Sequence, residues 1–529
     1  NDTRTFLTKV KTDQTLSLSQ KDGESYEKAA AKEGKTLLTD ISESFPLQHA
    51  HQENSFIDFD RDRLIYHMLS SEGPHICKGD MNGDGLEDLY MVGSKDHAAA
   101  LYLQTPNGGF KQANQALFEE EKASEETDCA CFDADNDGDL DLYVTSGGNE
   151  YPSNAVALKD KLYFNQGDGT FEKSQQSLPT FQYESTSTVV PADYDKDGDT
   201  DLFVGVRLRP FLYGVPANGY LLENDGKGSF KNITQTNAPE LSDIGMVTDA
   251  SWFDMDQDDD LDLIVVGDWM AITVFEQNEG KLTKVENSGL EKSNGFWNCL
   301  RPSDLDGDGD TDFIVGNHGL NTRFKASANE PVSMLINDFD QNGSAEQVIS
   351  VYNDGTSYPL ALRHDLVMQM PILKKKYLKY ESYKNQTVED IFSPEQREKA
   401  ISLQVYNTQT SILVNEGNGK FRLKALPIEA QLSPAFGLYL KDMDQDGHKD
   451  ILLAGNFHRA KPEVGMYDAS YGLWLKGDGK LNFEAVSQKK SGFGITGEVR
   501  EIIDFKLGDD TVLLVAMNDE PMRVFKLNE

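Results

Sequence analysis

DADNDGDLD, residues 133–141, is one copy of a short motif that recurs along the chain. Side-chain oxygens stand at its positions 1, 3, 5 and 9, and a glycine stands at position 6. A short loop with this spacing can wrap its oxygens around one ion, because glycine permits the positive φ that a sharp turn requires. Calcium takes six to eight hard oxygen ligands in flexible geometry, so the stretch predicts a calcium-binding loop.

The same frame occurs seven times along the chain. Side chains at positions 1, 3, 5 and 9 and the main-chain carbonyl at position 7 are the expected ligands. In chain order these positions are Asp80, Asn82, Asp84, Leu86 and Asp88; Asp133, Asp135, Asp137, Asp139 and Asp141; Asp193, Asp195, Asp197, Asp199 and Asp201; Asp254, Asp256, Asp258, Asp260 and Asp262; Asp304, Asp306, Asp308, Asp310 and Asp312; Asp338, Asp340, Asn342, Ser344 and Glu346; and Asp442, Asp444, Asp446, His448 and Asp450. We therefore expect up to seven structural Ca²⁺ ions.

An EF-hand begins with the same spacing but requires a glutamate at position 12 and a helix on each side. Position 12 is apolar in all seven loops, and short apolar runs typical of buried strands follow. A Gly-rich hairpin such as LYFNQGDGTF, residues 162–171, comes after most of them. Each repeat therefore predicts four strands, with the Asp loop joining the first two.

Four-stranded units that recur roughly every 50 to 60 residues predict an all-β fold, a β-propeller with four-stranded blades. Counting repeats gives eight blades, whereas two loops that share one blade at the short step from Asp304 to Asp338 would give seven. Residues 1–55 are expected to form a partly helical or extended N-terminal extension, and residues 56–529 the propeller. A helical insertion is predicted at about 364–400, and part of 56–69 is expected to close the ring.

Composition narrows the classes of partner. The net charge of −39 argues against nucleic acid and against a bare membrane surface. Four cysteines, Cys77, Cys129, Cys131 and Cys299, are expected to be small buried thiols, with a bridge from Cys77 to a neighbouring strand as the alternative. No transmembrane segment is predicted from the sequence, and we expect any export signal or anchor to lie outside this chain.

The Asp-rich strand turns resemble FG-GAP/VCBS repeats, known from integrin α-chain propellers. Residues 295–327, 146–152, 267–275 and 467–473 are also similar to long VCBS-repeat proteins of Bacteroidota that carry an ASPIC/UnbV-type region. The resemblance implies a calcium-bearing propeller exported to the periplasm, the outer membrane or the cell surface. It also implies a place, in some members, beside TonB-dependent nutrient-uptake systems.

Topology predicts where a partner binds. In an antiparallel blade, the Asp loops and the Gly-rich hairpin tips lie on one face, and the segments after each second strand lie on the other. Those segments are rich in aromatic, arginine and amide side chains that suit a glycan or protein ligand. The candidates are Tyr151, Arg207, Arg209, Trp269, His318, Asn321, Arg323, His458, Arg459, Tyr467 and Tyr471. The alternative is that these side chains pack together and seal the central channel.

We expect no catalytic activity, because the chain has no HExxH, GxSxG or P-loop motif. The predicted function is a glycan- or protein-binding module at the cell surface, with a structural subunit of an outer-membrane complex as the alternative. A polysaccharide lyase is the enzyme alternative, and it would use His318, Arg323 and Tyr471.

Overall fold

Each Asp loop is followed by a strand whose side chains are almost all buried, because an apolar run covered on both sides by neighbouring sheets stays in the core. The computed structural model describes residues 3–4, 16–19, 21, 24–25, 36–179 and 183–528. It contains eight four-stranded antiparallel sheets and one short pairing of Thr3–Arg4 with Glu24–Ser25. Of the predicted N-terminal extension, residues 1–2, 5–15, 20, 22–23 and 26–35 lie outside the described residues.

Seven of the eight sheets form the ring of blades. The first strands of consecutive blades contact one another, and the first strand of blade 7 contacts that of blade 1. The strands are Ile76–Gly79, Asp88–Met91, Ala100–Gln104 and Phe110–Ala113 in blade 1; Glu125–Phe132, Asp141–Gly147, Lys161–Asn165 and Phe171–Lys173 in blade 2; Ser185–Ala192, Asp201–Leu208, Gly219–Asn224 and Phe230–Asn232 in blade 3; Met246–Phe253, Asp262–Met270, Thr273–Asn278 and Lys281–Lys284 in blade 4, with Gly295–Phe296 added; Cys299–Ser303, Asp312–Gly316, Ser411–Asn415 and Phe421–Ala425 in blade 5; Ala435–Lys441, Asp450–Gly455, Leu473–Gly477 and Phe483–Val486 in blade 6; and Glu498–Leu507, Asp510–Asn518, Arg523–Leu527 and Leu38–Asp40 in blade 7.

The ring is closed by a strand from the other end of the chain. Leu38–Asp40 pairs antiparallel with Arg523–Leu527 and so becomes the outermost strand of blade 7. This corrects the expectation that part of 56–69 closes the ring, and it moves the start of the propeller into the predicted extension. Three residues suffice because Leu38 is buried against Phe493 and Phe525.

The eighth sheet is an insertion within blade 5. Its strands are Val332–Asn337, Glu346–Asn353, Thr356–Pro359 and Ile401–Val405, and they lie in sequence between the second and third strands of that blade. The sixth Asp loop joins the first two of these strands, which explains the short step before it. The eight repeats therefore correspond to seven blades and one inserted sheet, and blade 7 is the repeat without an Asp loop.

Helices are few and short. The α-helices are Gln115–Glu121, Thr234–Asn237, Arg363–Gln369, Val388–Ile391, Pro394–Glu398 and Gln488–Ser491, and the 3-10 helices are Ser42–Ser44, Asp58–Asp60, Val156–Leu158, Pro239–Leu241, Pro371–Lys375, Tyr380–Ser382 and Ile428–Gln431. Five of these thirteen helices fall in the predicted insertion or overlap its start. Within the insertion, Ser393 and Gln396 form a capping box, with Pro394 at the first helical position. Among the described residues, no helix has the length and apolar character needed to span a membrane.

Two of the four cysteines form a disulfide. Cys77 in blade 1 is bonded to Cys129 in blade 2, with their Cα atoms 5.9 Å apart. The expectation of free thiols is therefore wrong for these two cysteines, and the alternative, a bridge from Cys77 to a neighbouring strand, is confirmed. The bridge can form because the first strands of blades 1 and 2 run side by side. Cys131 and Cys299 remain free.

Residues 51–75, named the cap segment here, contact the connections that follow the second strands, on the side away from the Asp loops: Arg61 donates to the carbonyl of Asn149 at 2.8 Å, and His67 packs against His318 and Tyr467. Asp58 holds the segment in shape, because its carboxylate accepts hydrogen bonds from the main-chain N–H groups of Leu69 and Ser70 at 2.8 and 3.0 Å. Tyr66 and Leu69 pack into a cluster that contains residues of blades 3 and 4 and of the inserted sheet. The face with the cap segment is named the cap face.

Candidate metal loops and the capped face

The Asp loops fold around the carboxylate of their first residue. In the second loop, Asp133 accepts hydrogen bonds from the main-chain N–H groups of Asp137 at 3.2 Å and Gly138 at 3.0 Å. Asp137 in turn accepts one from the N–H of Asp139 at 3.0 Å. This last bond, from position 7 to position 5, is present in all seven loops. Main-chain donors therefore turn the carboxylates inward.

Two positions in every loop adopt a left-handed backbone conformation. Position 6 has positive φ throughout, including Asp259 at 71°, where the sequence predicts that aspartate takes over from glycine. Position 4 also has positive φ, between 59° and 81°, which sequence reasoning missed. The position-4 residues are Gly83, Asn136, Lys196, Gln257, Gly307, Gln341 and Gln445. Glycine and asparagine at three of them were a signal for this second turn.

The position-9 carboxylate is the buried ligand candidate of each loop. Asp141 accepts hydrogen bonds from the N–H of Ala134 at 2.9 Å and from that of Asn165, at the end of the third strand, at 2.8 Å. Its pKa is raised to about 7, chiefly by burial and further by the charges of Asp135 and Asp137. The same causes raise the pKa of the equivalent carboxyls, to about 7 in Asp201, Asp262 and Glu346.

The loop carboxylates converge as a cation site requires. Ligand atoms of Asp193, Asp195, Asp197 and Asp201 lie within 4.8 Å of one another, and three-residue groups with the same property occur in the second, fourth and fifth loops. Seven buried carboxylate oxygens in these loops have no hydrogen-bond partner in the described part of the chain: those of Asp135, Asp193, Asp201, Asp306, Asp340, Glu346 and Asp444. Like charges held this close, with unused oxygens pointing inward, fit a hard divalent cation.

The seventh loop differs from the others. Lys476, in the third strand of blade 6, contacts Asp444 and places its Nζ 2.8 Å from Asp446 Oδ2. These carboxylates are predicted ligands at positions 3 and 5. A lysine ammonium therefore occupies part of the predicted ligand set of this loop, a contact that sequence reasoning missed.

Each of the first four loops is clamped by the next blade. Asn165 of blade 2 donates from Nδ2 to the carbonyl of Met81, at position 2 of the first loop, with a distance of 2.7 Å. The equivalent bonds run from Asn224 to Ala134, from Gln277 to Tyr194 and from Asn415 to Met255. In blade 6 the third strand ends at Gly477, which has no side chain to donate to the fifth loop. An amide residue just before the Gly-rich turn was the sequence signal for this clamp.

Neighbouring loops also contact each other through positions 4 and 7. The Nδ2 of Asn136 donates to Asp199 at 2.6 Å, and the Nε2 of Gln257 donates to Asp310 at 2.6 Å. Lys196 Nζ lies 2.7 Å from Asp260 Oδ1. The position-7 side chains of these loops therefore bind the preceding loop, while their carbonyls remain free for the predicted role of ligands.

The structure brings the ligand candidates to the cap face but buries several of them. Trp269, His318 and Tyr467 are at most 6% exposed, and they pack with His67 and Phe324 in an aromatic cluster. Trp269 donates to the hydroxyl of Tyr213 at 2.9 Å. These three side chains therefore pack together and seal the channel beneath the cap segment, which is the alternative that the sequence left open.

Arginines of the candidate set are paired with carboxylates. Arg207 lies 3.2 Å from Glu72 and 3.8 Å from Asp268 at the channel axis, and Arg209 lies 3.1 Å from Glu184. Arg459 lies 3.2 Å from Asp519, and His458 lies 3.2 Å from Asp468. Tyr151 donates to the carbonyl of Ala123. These side chains hold neighbouring segments together.

Asn321, Arg323 and Tyr471 remain exposed. Asn321 donates to the carbonyl of Leu432 at 3.2 Å, and Arg323 donates to that of Glu463. Exposed Leu320, Leu432 and Met466 lie in the same three segments. Leu320, Asn321, Arg323, Leu432 and Met466 are together named the rim patch.

The residues proposed for a lyase do not form a catalytic group. His318 is buried among His67, Phe296, Phe324 and Tyr467, and burial lowers its pKa well below the usual value. Arg323 and Tyr471 are exposed, and within the described residues neither contacts His318. A base must reach the proton of a bound substrate, and His318 is only 6% exposed.

The central channel encloses a polar cavity of about 200 Å³. Asp128, Asp249 and Glu501 line it, and each accepts a hydrogen bond from a main-chain N–H of the following blade, at 3.0, 2.9 and 2.8 Å. Arg301 lies 3.1 Å from Asp249 and 3.7 Å from Glu501. The charges in the channel thus connect blades.

Comparison with known families supports the identity of the repeats. Residues 80–144, 133–204 and 254–315 match the family model of the FG-GAP-like repeat. The fold is a β-propeller, and the three matched segments, which cover less than half of the chain, are similar to the FG-GAP-like repeat. No curated protein matches the chain.

Solved structures that resemble the chain include an Agrocybe aegerita lectin that recognises non-reducing terminal N-acetylglucosamine. It is 14% identical, with a TM-score of 0.41, and the match covers 85% of this chain and 87% of the lectin. The V. cholerae biofilm matrix protein Bap1 is 11% identical, with a TM-score of 0.35 and 91% of each chain covered. Saccharomyces cerevisiae Sqt1 is 11% identical, with a TM-score of 0.38, and 91% of this chain and 100% of Sqt1 are covered.

Proposed function

We propose that the chain is a non-catalytic, calcium-stabilised binding module of the extracytoplasmic surface, and that its rim patch recognises a protein partner. The proposal rests on which side chains of the cap face are buried and which are exposed. Trp269 and Tyr467, the rings best suited to stack on a sugar, are buried. Met466 and Leu432 are 64% and 42% exposed.

Exposed methionine and leucine beside an arginine are typical of a surface that another protein covers. A flexible apolar side chain gains little from a hydrophilic sugar ring, but it is buried well in a protein interface. Arg323 adds a donor with several N–H groups, and its guanidinium already lies against the chain at Glu463. The rim patch therefore favours a protein ligand over a glycan ligand, the two alternatives that the sequence left open.

Two features support an extracytoplasmic location. The chain contains the Cys77–Cys129 disulfide. Disulfides persist in oxidising compartments and are rare in the reducing cytosol. The Asp loops, with three or four carboxylates each, are suited to a setting where free calcium is plentiful. In such a setting the ion would be held by the side chains at positions 1, 3, 5 and 9 and by the carbonyl at position 7. Its charge would offset the negative charge of the loop carboxylates.

The proposal is tested by isolating the exported, tagged protein with its bound partners from outer-membrane extracts. TonB-dependent uptake complexes, which the resemblance implies, are the first candidates. Met466→Asp and Leu432→Asp are expected to lose a stoichiometric protein partner while keeping the wild-type melting temperature. Val156→Asp is the matched control, because Val156 is 70% exposed in a different connection, in blade 2.

Retention of the partner by the rim variants, or its loss in Val156→Asp as well, would contradict the proposed surface. A glycan array run on the same preparations addresses the alternative. Saturable binding of a glycan that Tyr471→Ala abolishes and Met466→Asp preserves would assign the recognition to a sugar.

A further inference from the structure

A second group of unpartnered oxygens lies outside the Asp loops, beneath the cap segment. Both carboxylate oxygens of Glu53, Oε1 of Glu72, Oε1 of Glu125 and Oγ of Ser71 are buried and accept or donate no hydrogen bond within the described chain. Glu125 is 3% exposed and Ser71 is 2% exposed. The same signature, buried carboxylate oxygens without donors, marks the Asp loops.

The first side of this group is formed by blade 1 and the start of blade 2. Ser94 donates from its hydroxyl to the carbonyl of Gln52, which fixes the chain next to Glu53. The main-chain N–H of Lys95 donates to Oε2 of Glu125 at 2.8 Å. One oxygen of Glu125 is therefore anchored, and the other has no donor.

The second side is formed by residues 70–72. Asn149 donates from its main-chain N–H to the hydroxyl of Ser70 at 3.1 Å. Gly148 is in close contact, since a Cβ built there would lie 3.3 Å from Cβ of Glu125 and 3.8 Å from Cα of Ser70. The absence of a side chain at this residue lets the cap segment approach Glu125.

Direct pairs balance only part of the charge around the group. Burial raises the pKa of Glu125 well above its usual value, and the charges of Glu53, Glu72 and Glu150 raise it further. Arg207 pairs with the other oxygen of Glu72 at 3.2 Å. The cations Arg459 and Arg500 act on Glu53 only through the electrostatic field, since neither donates a hydrogen bond to it within the described residues.

We propose that Glu53, Ser71, Glu72 and Glu125 bind one hard divalent cation, with calcium as the expected ion. The donor set is made only of oxygens, three of them carboxylates, which suits calcium and disfavours softer metals. The ion joins the cap segment to blades 1 and 2. This site shares no residue with the Asp loops, so it is additional to the proposed function.

The site is tested by native mass spectrometry of the folded chain in calcium-containing buffer. The double variant Glu53→Gln/Glu125→Gln is expected to bind one ion fewer than the wild type. Glu150→Gln is the matched control, because Glu150 is a carboxylate near the group whose two oxygens are already engaged by Asn54 and Lys95. Glu150→Gln should bind as many ions as the wild type.

Hydrogen exchange of the wild type supplies a measurement that needs no variant. Calcium should slow exchange of amides in residues 51–75, and the double variant should lose this protection while its Asp loops keep theirs. An unchanged ion count, with no calcium-dependent protection of 51–75, would overturn the site. Absence of ions from the Asp loops as well would instead contradict the proposed calcium-stabilised module.

Discussion

Asn165 of blade 2 donates a 2.7 Å hydrogen bond from Nδ2 to the carbonyl oxygen of Met81 in the first Asp loop. The main-chain N–H of Asn165 also binds Asp141, the position-9 carboxylate of its own blade. One residue thus connects the loops of two adjacent blades. An ion that orders either loop would also order the boundary between the blades.

Substitution of this residue tests the connection. Asn165→Ala leaves the buried carbonyl of Met81 without its donor, which should lower the free energy of unfolding by about 1–3 kcal/mol. Asn385→Ala is the control, because Asn385 is exposed. Chemical denaturation in saturating calcium measures both variants. Equal stability of the two would show that the clamp contributes nothing.

The seventh loop should bind calcium more tightly once its lysine is removed. Lys476→Met frees Asp444 and Asp446 from the ammonium group, so more of the negative charge is available to the ion. Isothermal titration should show a stronger site in this variant than in the wild type. Lys480→Met changes the net charge of the protein by the same amount but leaves the loop contacts intact. Its titration should match that of the wild type. An affinity gain of the same size in both variants would point to net charge alone.

The disulfide should contribute measurably to stability. It closes a segment with a sequence separation of 52 residues, and removal of such a cross-link typically costs about 2–4 kcal/mol. Cys77→Ser/Cys129→Ser is therefore expected to melt at a lower temperature than the wild type under oxidising conditions. A reducing agent should lower the melting temperature of the wild type but not that of the double variant. If the wild type is insensitive to reduction, the bond does not stabilise the fold.

A buried histidine pair predicts a loss of stability in mild acid. Burial and the charge of Arg207 lower the pKa of His67 to about 3, and burial beside His67 lowers that of His318. Histidine in an unfolded chain titrates near 6.5, so below that pH the unfolded chain binds protons that the folded protein does not. The contribution of the pair to the free energy of unfolding therefore falls as the pH drops from about 6.5 towards about 3.

The variant His67→Gln isolates this effect. Arg207, His318 and Tyr467 face His67, and Arg207 is itself paired with Glu72 and Asp268, so other groups titrate nearby. The difference in unfolding free energy between wild type and variant should shrink as the pH is lowered from 7.5 to 5. A difference that stays constant over this range would contradict the assignment.

The repeated frame predicted the blades because each Asp loop is a local structure. Its turn, its converging oxygens and the strand that follows are all set within about a dozen residues. The strand that closes the ring was missed, since Leu38–Asp40 has only three residues and pairs with the far end of the chain. The sixth loop was placed in a blade of its own or in a shared one, and its position in an inserted sheet depends on long-range pairing.

The cap face was harder to predict for a related reason. Topology correctly placed Trp269, His318 and Tyr467 on one face, but it could not show that residues 51–75 would cover them. The clamp by Asn165 and the contact of Lys476 both act between elements that are distant in sequence or on neighbouring strands. Side-chain chemistry was readable from the sequence, and the burial of each group was not.

We propose that the Asp loops hold calcium and that the ions stabilise the blades. Thermal unfolding in calcium, and again after a chelator has removed the calcium, tests this proposal, because an ion that binds only the folded state raises the melting temperature. Without the ion, each loop keeps several carboxylates within a few ångströms, and their repulsion opposes folding. We predict a large drop in melting temperature on chelation, reversed by added calcium. A melting temperature that is the same with and without calcium would contradict the account.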